Sequence, residues 1–421
     1  APTPPGLPRI HTVTHAIHDF SAKLRQPGAV DGLRRYVEWR KQVAEALATG
    51  QPEPPAPEQA PISINLDLTS ACNYRCTHCI DWDILNSGHR MAEAKLRESL
   101  RWMATHGLRS VILIGGGEPT LYPGFVDFVE FLKRELELQV AIVSNGSRGD
   151  RLTQAAAFLD AQDWIRLSLD SGSNELFVAM HQPNAKSTNL DSICASMREL
   201  KALHPTPRLG FSYIIVWSGA SREGEAIHEN IHEIVLAAAR AREYGFDYIS
   251  FKPVLERQLD GAEVMDPYKA REQQAAVVAR IRAAVDEAKE LANDRFEVYE
   301  STNLRLLEEG TWQDYTHQPR TCHMQALRQV LTPTGVFNCP AHRGVQKARL
   351  ADQDAYAGPE RAHQTAKNLA GLLQEFDASA ECAQVTCLYN QVNWWIERMI
   401  EDPRSAAECI ASGPGKADFF L

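Results

Sequence analysis

Cys72, Cys76 and Cys79 stand in a C-x3-C-x2-C run inside the stretch ISINLDLTSACNYRCTHCID. That spacing packs three thiolates into one tight loop. Soft sulfur ligands at this density suit an iron–sulfur cluster, which ordinarily takes four cysteines. A cluster held by three keeps one iron open for another ligand. Zinc is the rival metal: it wants a fourth ligand nearby, and His78 stands in the loop to supply one. Both readings stay open on these residues.

Further along stand other residues with chemical capacity. Gly115-Gly116-Gly117-Glu118-Pro119 is either a backbone that lets a ligand come close or a plain turn with a surface glutamate. The tail holds four more cysteines, Cys322-x16-Cys339 and Cys382-x4-Cys387, a set that fits a fully ligated cluster or a structural zinc. Cys194 reads as a core thiol and Cys409 as a bystander.

These residues need elements to position them. Apolar runs at Ile62–Leu68, Ser110–Ile114, Gln139–Ser144, Trp164–Leu169, Leu209–Val216 and Tyr248–Phe251 read as buried parallel strands. Helical stretches follow them near Ala92–His106, Phe125–Leu136, Arg151–Leu159, Leu190–Leu203, Glu225–Tyr244 and Pro267–Ala292. The cysteine loop, the glycine run, Ser144-Asn145, Ser168 and Asp170 all fall at or just after strand ends, where such sheets place their sites. Six units are too few to close an eight-fold barrel. The expected fold is α/β, a partial (βα)6 TIM-type barrel over residues 61–300. Residues 1–60 read as an N-terminal extension, with a helix at Val30–Ala48 packed on the main domain and a proline-rich linker, Gln51–Pro61. Residues 301–421 read as a C-terminal extension, with a turn at Thr332–Gly335 between short strands and a helix at Asn390–Met399.

With 421 residues, 44% hydrophobic and 23% charged, the composition is that of a globular chain. A net charge of −10 disfavours nucleic-acid and anionic-membrane partners, which select basic patches. No apolar run approaches a membrane span, and the first residues lack a signal-peptide pattern. Nine cysteines, an odd number, do not read as a disulfide framework, so a reducing cytoplasm is the expected setting.

From Ile62 to Pro253 the sequence resembles the radical S-adenosylmethionine (SAM) enzymes, on the strength of Cys72-Asn73-Tyr74-Arg75-Cys76-Thr77-His78-Cys79 followed by Gly115-Gly116-Gly117-Glu118-Pro119. The resemblance implies a [4Fe-4S] cluster on the three cysteines, its open iron chelated by the amino and carboxylate groups of SAM. Reductive cleavage of SAM then yields a 5′-deoxyadenosyl radical that takes a hydrogen atom from substrate. It places Gly115, Gly116 and Gly117 against the methionyl amine, with Glu118 accepting from it. Ser144, Asn145, Ser168 and Asp170 are implied near the ribose or carboxylate, His78 near the adenine, and Lys252-Pro253 at that site's border. The sequence departs from many relatives after the fourth strand: His181-Gln182 stands where they carry His-Asp and then Arg, and Lys186 is the nearest cation.

The tail resembles the shorter "twitch" form of the SPASM extension, which implies a second, auxiliary [4Fe-4S] cluster on Cys322, Cys339, Cys382 and Cys387, acting in electron transfer. The function implied is oxidation or rearrangement of a small polar substrate such as a sugar or aminocyclitol, with a reducing partner such as flavodoxin or ferredoxin. The alternatives are a maturase of ribosomal peptides and a non-catalytic iron–sulfur or zinc scaffold. No catalytic base is identified; Tyr213, Lys252, His342 and Arg343 are candidates by location alone.

Overall fold

The computed structural model describes residues 19–222, 225–257, 261–265, 274–415 and 417–421. Its centre is a ten-stranded sheet. The six expected strands are present as β1 Ser63–Asp67, β2 Ser110–Ile114, β3 Gln139–Ser144, β4 Trp164–Ser168, β5 Arg208–Ile215 and β6 Tyr248–Pro253. Each pairs in parallel with the next, β1 with β2 through to β5 with β6.

Two further parallel strands extend this run. β7, Glu297–Glu300, pairs with β6, and β8, Arg328–Thr332, pairs with β1. β9 (Gly335–Phe337) and β10 (Arg349–Ala351) then continue antiparallel from β8. The parallel alternation therefore does not stop near residue 300, as the sequence pattern predicts. β7 is short and half polar (EVYE), and β8 looks locally like one arm of a hairpin; only its tertiary pairing makes it a barrel strand.

Strand residues alternate between two environments. Leu209, Phe211, Tyr213 and Ile215 belong to the main apolar core, so Gly210, Ser212 and Ile214 face the opposite side, the barrel lumen. Helices α3 (Glu93–Thr105), α4 (Phe125–Glu130), α5 (Gly149–Ala156), α6 (Asn174–His181), α7 (Leu190–Leu203), α8 (Ile234–Glu243), α9 (Gln274–Lys289) and α10 (Thr302–Glu309) follow the strands. α6 fills what reads in sequence as a long loop. α8 begins later than predicted because Asn230 and Glu233 are tied to strand ends instead. The predicted helix start at 267–273 lies outside the described residues.

The N-terminal helices α1 (Phe20–Leu24) and α2 (Val30–Thr49) share a separate apolar cluster with the tail, so α2 packs on the tail and not on the barrel helices. Its partners are α14 (Asn390–Glu401) and α15 (Ala406–Cys409), which follow α11 (Met324–Leu327), α12 (Pro359–Glu375) and α13 (Ala378–Glu381). At the N-terminal end of the strands, Phe420 packs against Ile112, Ala141, Val143 and Trp164. The Ser110 hydroxyl donates to the Phe419 carbonyl at 2.7 Å. The C-terminal residues thus fill the bottom of the lumen. Among the described residues no helix is long and apolar enough to cross a membrane.

Candidate active site

The cysteine loop is held by backbone contacts to the end of α6. The amides of Arg75 and Thr77 donate to the carbonyls of His181 and Met180 at 3.1 and 2.8 Å, and the Asn184 amide to that of Asn73 at 3.0 Å. Helix-end carbonyls lack intrahelical donors, so this contact satisfies both partners. The Cys72 amide donates to the Asn86 side chain at 3.0 Å, and Arg222 donates to the Cys76 carbonyl at 2.8 Å. Cys72, Cys76 and Cys79 stay partly exposed. Burial raises all three thiols, Cys79 to about 12, so metal binding must release protons.

The glycine run is fixed from within. A Cβ on Gly117 would lie 2.5 Å from the Thr69 carbonyl oxygen and 2.6 Å from that of Ala71, and one on Gly115 would strike the backbone of Gly117. These glycines let the strand-two turn pack on the chain just before Cys72; the Glu118 amide then donates to the Ala71 carbonyl at 2.8 Å. Glu118 is buried rather than on the surface. Its Oε1 accepts from the hydroxyls of Ser144 (2.7 Å) and Thr120 (2.6 Å) and the Thr120 amide (3.1 Å). Oε2 accepts from the Asn145 amide at 2.7 Å and keeps room for one more donor. Burial raises this carboxyl, against the pull of those donors. Ser144 is thereby spent on Glu118, while Asn145 donates from its side chain to Asn73 at 3.0 Å, in the cysteine loop.

Asp170 sits at φ +49°, a left-handed conformation that Asp tolerates better than most residues. It is buried, and its Oδ2 lies 3.0 Å from His78 Nε2 and 3.5 Å from His181 Nε2, while Oδ1 accepts from the Ile214 amide at 2.6 Å. Burial alone would raise its carboxyl, but the His78 hydrogen bond and the two imidazoles hold it below the ordinary value. His181 lies with Nδ1 3.2 Å from Cys76 Sγ, and burial pushes its imidazole down to about 4. Asn230, fully buried, clasps the same corner, donating to the Asp170 and Ile214 carbonyls at 2.9 and 2.8 Å.

Among the described residues only His78, Asp170 and His181 bring three such ligand atoms within 4.8 Å of one another. Neither cysteine set does so, and His78 does not join two sulfurs.

In the tail, burial first, then the charges of Cys387, Cys322 and Cys339, raises Cys382. Burial, then the charges of Cys339 and Cys322, raises Cys387 too, so the four tail thiols lie within reach of one another's charge. Arg343, just beyond Cys339, runs back into the barrel. Its Nη1 meets Asp81 Oδ2 at 2.7 Å and the Gly115 carbonyl at 3.2 Å, and its Nε lies 3.1 Å from Asp67 Oδ2 at the end of β1.

Of the residues singled out as bases by location, three do not face the lumen as free groups. Tyr213 points into the outer core and donates to the Asn230 carbonyl at 2.6 Å. Arg343 is buried and locked in ion pairs; although burial opposes its charge, Asp67, Asp81 and Glu263 hold it firmly protonated. His342 is buried edge-on to Phe376, 5.1 Å between ring centres. Lys252 and Ser168 do face the lumen, and Lys186 is exposed. The sequence reading did not single out Asp67 or Asn230, and it offered Arg343 as a base, not as the ion-pair partner of Asp67 and Asp81. A charged residue inside an apolar strand is the one signal that marked Asp67.

A model of the Radical SAM superfamily matches residues 66–229. Those residues form a radical SAM domain. A SAM-dependent nucleotide dehydratase of Thermoplasmatales archaeon (strain ISO4-H5) is 36% identical over 111 residues, 26% of this chain and 38% of that one. A GTP 3′,8-cyclase of Chlorobaculum tepidum is 32% identical over 119 residues, covering 28% and 35%. The chain thus spans under two fifths of the length of these curated relatives. Streptococcus suis SuiB bound to precursor peptide SuiA has the same fold at a TM-score of 0.52, 14% identity, and 87% and 77% coverage. So does anSMEcpe with bound AdoMet, at 0.52, 12%, and 83% and 98%. The matched residues include Cys72, Cys76, Cys79 and the Gly115–Pro119 run.

Proposed function

We propose that the chain is a radical SAM enzyme acting on a small polar substrate, of sugar or aminocyclitol type. In this reading a second [4Fe-4S] cluster on Cys322, Cys339, Cys382 and Cys387 serves in electron transfer. The observation that carries it is the nearness of those four tail thiols to one another, tied by Arg343 to the cysteine loop and to Gly115. Bound there, cluster and SAM supply one-electron cleavage and hydrogen-atom abstraction. The chain's own residues do the rest. Gly117 seats the strand-two turn on the loop, Glu118 Oε2 offers its remaining acceptor position to the methionyl amine, and Asp170 orients His78 and His181 beside Cys76. Asn145 stands just past the end of β3 for the ribose or carboxylate.

Oxidation of a hydroxyl to a carbonyl is the outcome this arrangement supports best, since a fully ligated second cluster can accept an electron. The second reading is peptide maturation, favoured by the shared fold with SuiB, which was solved with its precursor peptide. Cys387→Ala tests the first reading: SAM cleavage should persist while oxidised product falls. Unchanged product formation would contradict it.

A further inference from the structure

Inside the lumen, beneath the strand ends, β4, β5 and β6 place three serines side by side. Ser168 is in register with Ser212, and Ser212 with Ser250. Neighbouring strands lie about 4.8 Å apart, so the hydroxyls form one short row. Arg166 stands two residues below Ser168 and Lys252 two residues above Ser250, on the same face.

Neither cation has an acidic partner among the described residues. Lys252 Nζ reaches only the Ser212 hydroxyl, at 3.4 Å. Arg166 Nε is buried without a hydrogen-bond acceptor, and its guanidinium lies 5.0 Å over the Trp164 ring. The nearby carboxylates are engaged elsewhere: Asp170 by His78 and the Ile214 amide, Glu297 by Arg208. Burial lowers both, Lys252 well below its ordinary value, where the Arg166 charge adds to the shift and the weaker pull of the Asp170 charge opposes it. Two like charges held together in a narrow lumen cost free energy unless an anion joins them. A guanidinium fork, an ammonium and three hydroxyls are the donors that oxyanions select.

We propose that Arg166 and Lys252, with Ser168, Ser212 and Ser250 between them, bind an anionic group of the substrate, a phosphate or a carboxylate, in the barrel lumen. The inference rests on the reading of the chain as a radical SAM enzyme and narrows its substrate to an oxyanion-bearing molecule. SAM also carries a carboxylate, so the test separates that source.

Calorimetry on the anaerobically reconstituted protein, without reductant, would use inorganic pyrophosphate, inorganic phosphate and acetate as probes, each with and without saturating SAM. Saturable binding of at least one probe is expected, undisturbed by SAM and weakened at least ten-fold in Arg166→Gln and Lys252→Met. Lys252→Arg should retain it. Pyrophosphate or phosphate binding points to a phosphorylated substrate, acetate binding alone to a carboxylate. No binding to the wild type, equal binding in folded variants, or displacement by SAM would overturn the proposal. If Arg166→Gln does not fold, the Ser168→Ala, Ser250→Ala pair decides, and unchanged affinity overturns it. Binding is read without SAM cleavage, so failure here and failure of the enzyme reading are distinguishable.

Discussion

Arg343 Nη1 and Asp81 Oδ2 meet at 2.7 Å and join the two cysteine regions, Arg343 lying four residues after Cys339 and Asp81 two after Cys79. The same guanidinium faces Asp67, whose oxygens complete no aligned hydrogen bond to the protein, although the Arg343 charge and the Gly116 amide act on it. Removing the arginine strands two buried carboxylates. Arg343→Met is expected to destabilise the protein by about 3–5 kcal/mol, read from denaturant midpoints. Arg343→Lys should restore less than half, because one ammonium cannot meet Asp67, Asp81 and the Gly115 carbonyl as a fork does.

Asp170 is the second structural joint. Asp170→Asn keeps a side chain that tolerates φ +49° and can still accept from the Ile214 amide, but it gives up the charge facing His78 and His181. Its expected cost is about 1–3 kcal/mol. Asp170→Leu, which loses both features, should cost about 3–5 kcal/mol. Equal urea midpoints for the two variants would show that neither the amide contact nor the backbone conformation matters.

Glu263 gives a pH signature. Burial, then the Asp81 charge, raises its carboxyl to about 7 despite Arg343 and Arg257. Between about pH 4 and pH 7 the folded chain therefore holds a proton that the unfolded chain has lost, and stability falls as pH rises through that window. Glu263→Gln removes this dependence. Its stability relative to wild type should climb by roughly 1–3 kcal/mol between about pH 5 and about pH 8. A difference that is flat with pH would show that Glu263 ionises freely.

The tail cysteines give an analytical prediction. The reconstituted protein should hold about eight irons, and Cys322→Ala with Cys339→Ala should lower this to about four. Stoichiometric zinc in place of the second set would show a structural metal instead.

The barrel strands were legible because buried parallel strands are apolar throughout and end at turn residues; β1 to β6 fall within two residues of their expected bounds. β7 and β8 were not, since Glu297–Glu300 is half polar and the place of Arg328–Thr332 beside β1 depends on long-range pairing. In the site, the cysteines and Glu118 carry local spacing that can be read. Arg343 and Asn230 act across the fold, and nothing in the adjoining residues announces a partner on another strand. Glu118 shows the intermediate case: its position was legible, but its burial against Ser144 and Asn145 was not.

In the proposed function, Cys72, Cys76 and Cys79 hold the cluster that cleaves SAM. The most direct measurement is 5′-deoxyadenosine formed from SAM with dithionite, compared between the wild type and the triple variant Cys72→Ala, Cys76→Ala, Cys79→Ala. The wild type should form it, and the variant should form none while keeping about four irons in the tail. Cleavage that persists in the variant would contradict the assignment.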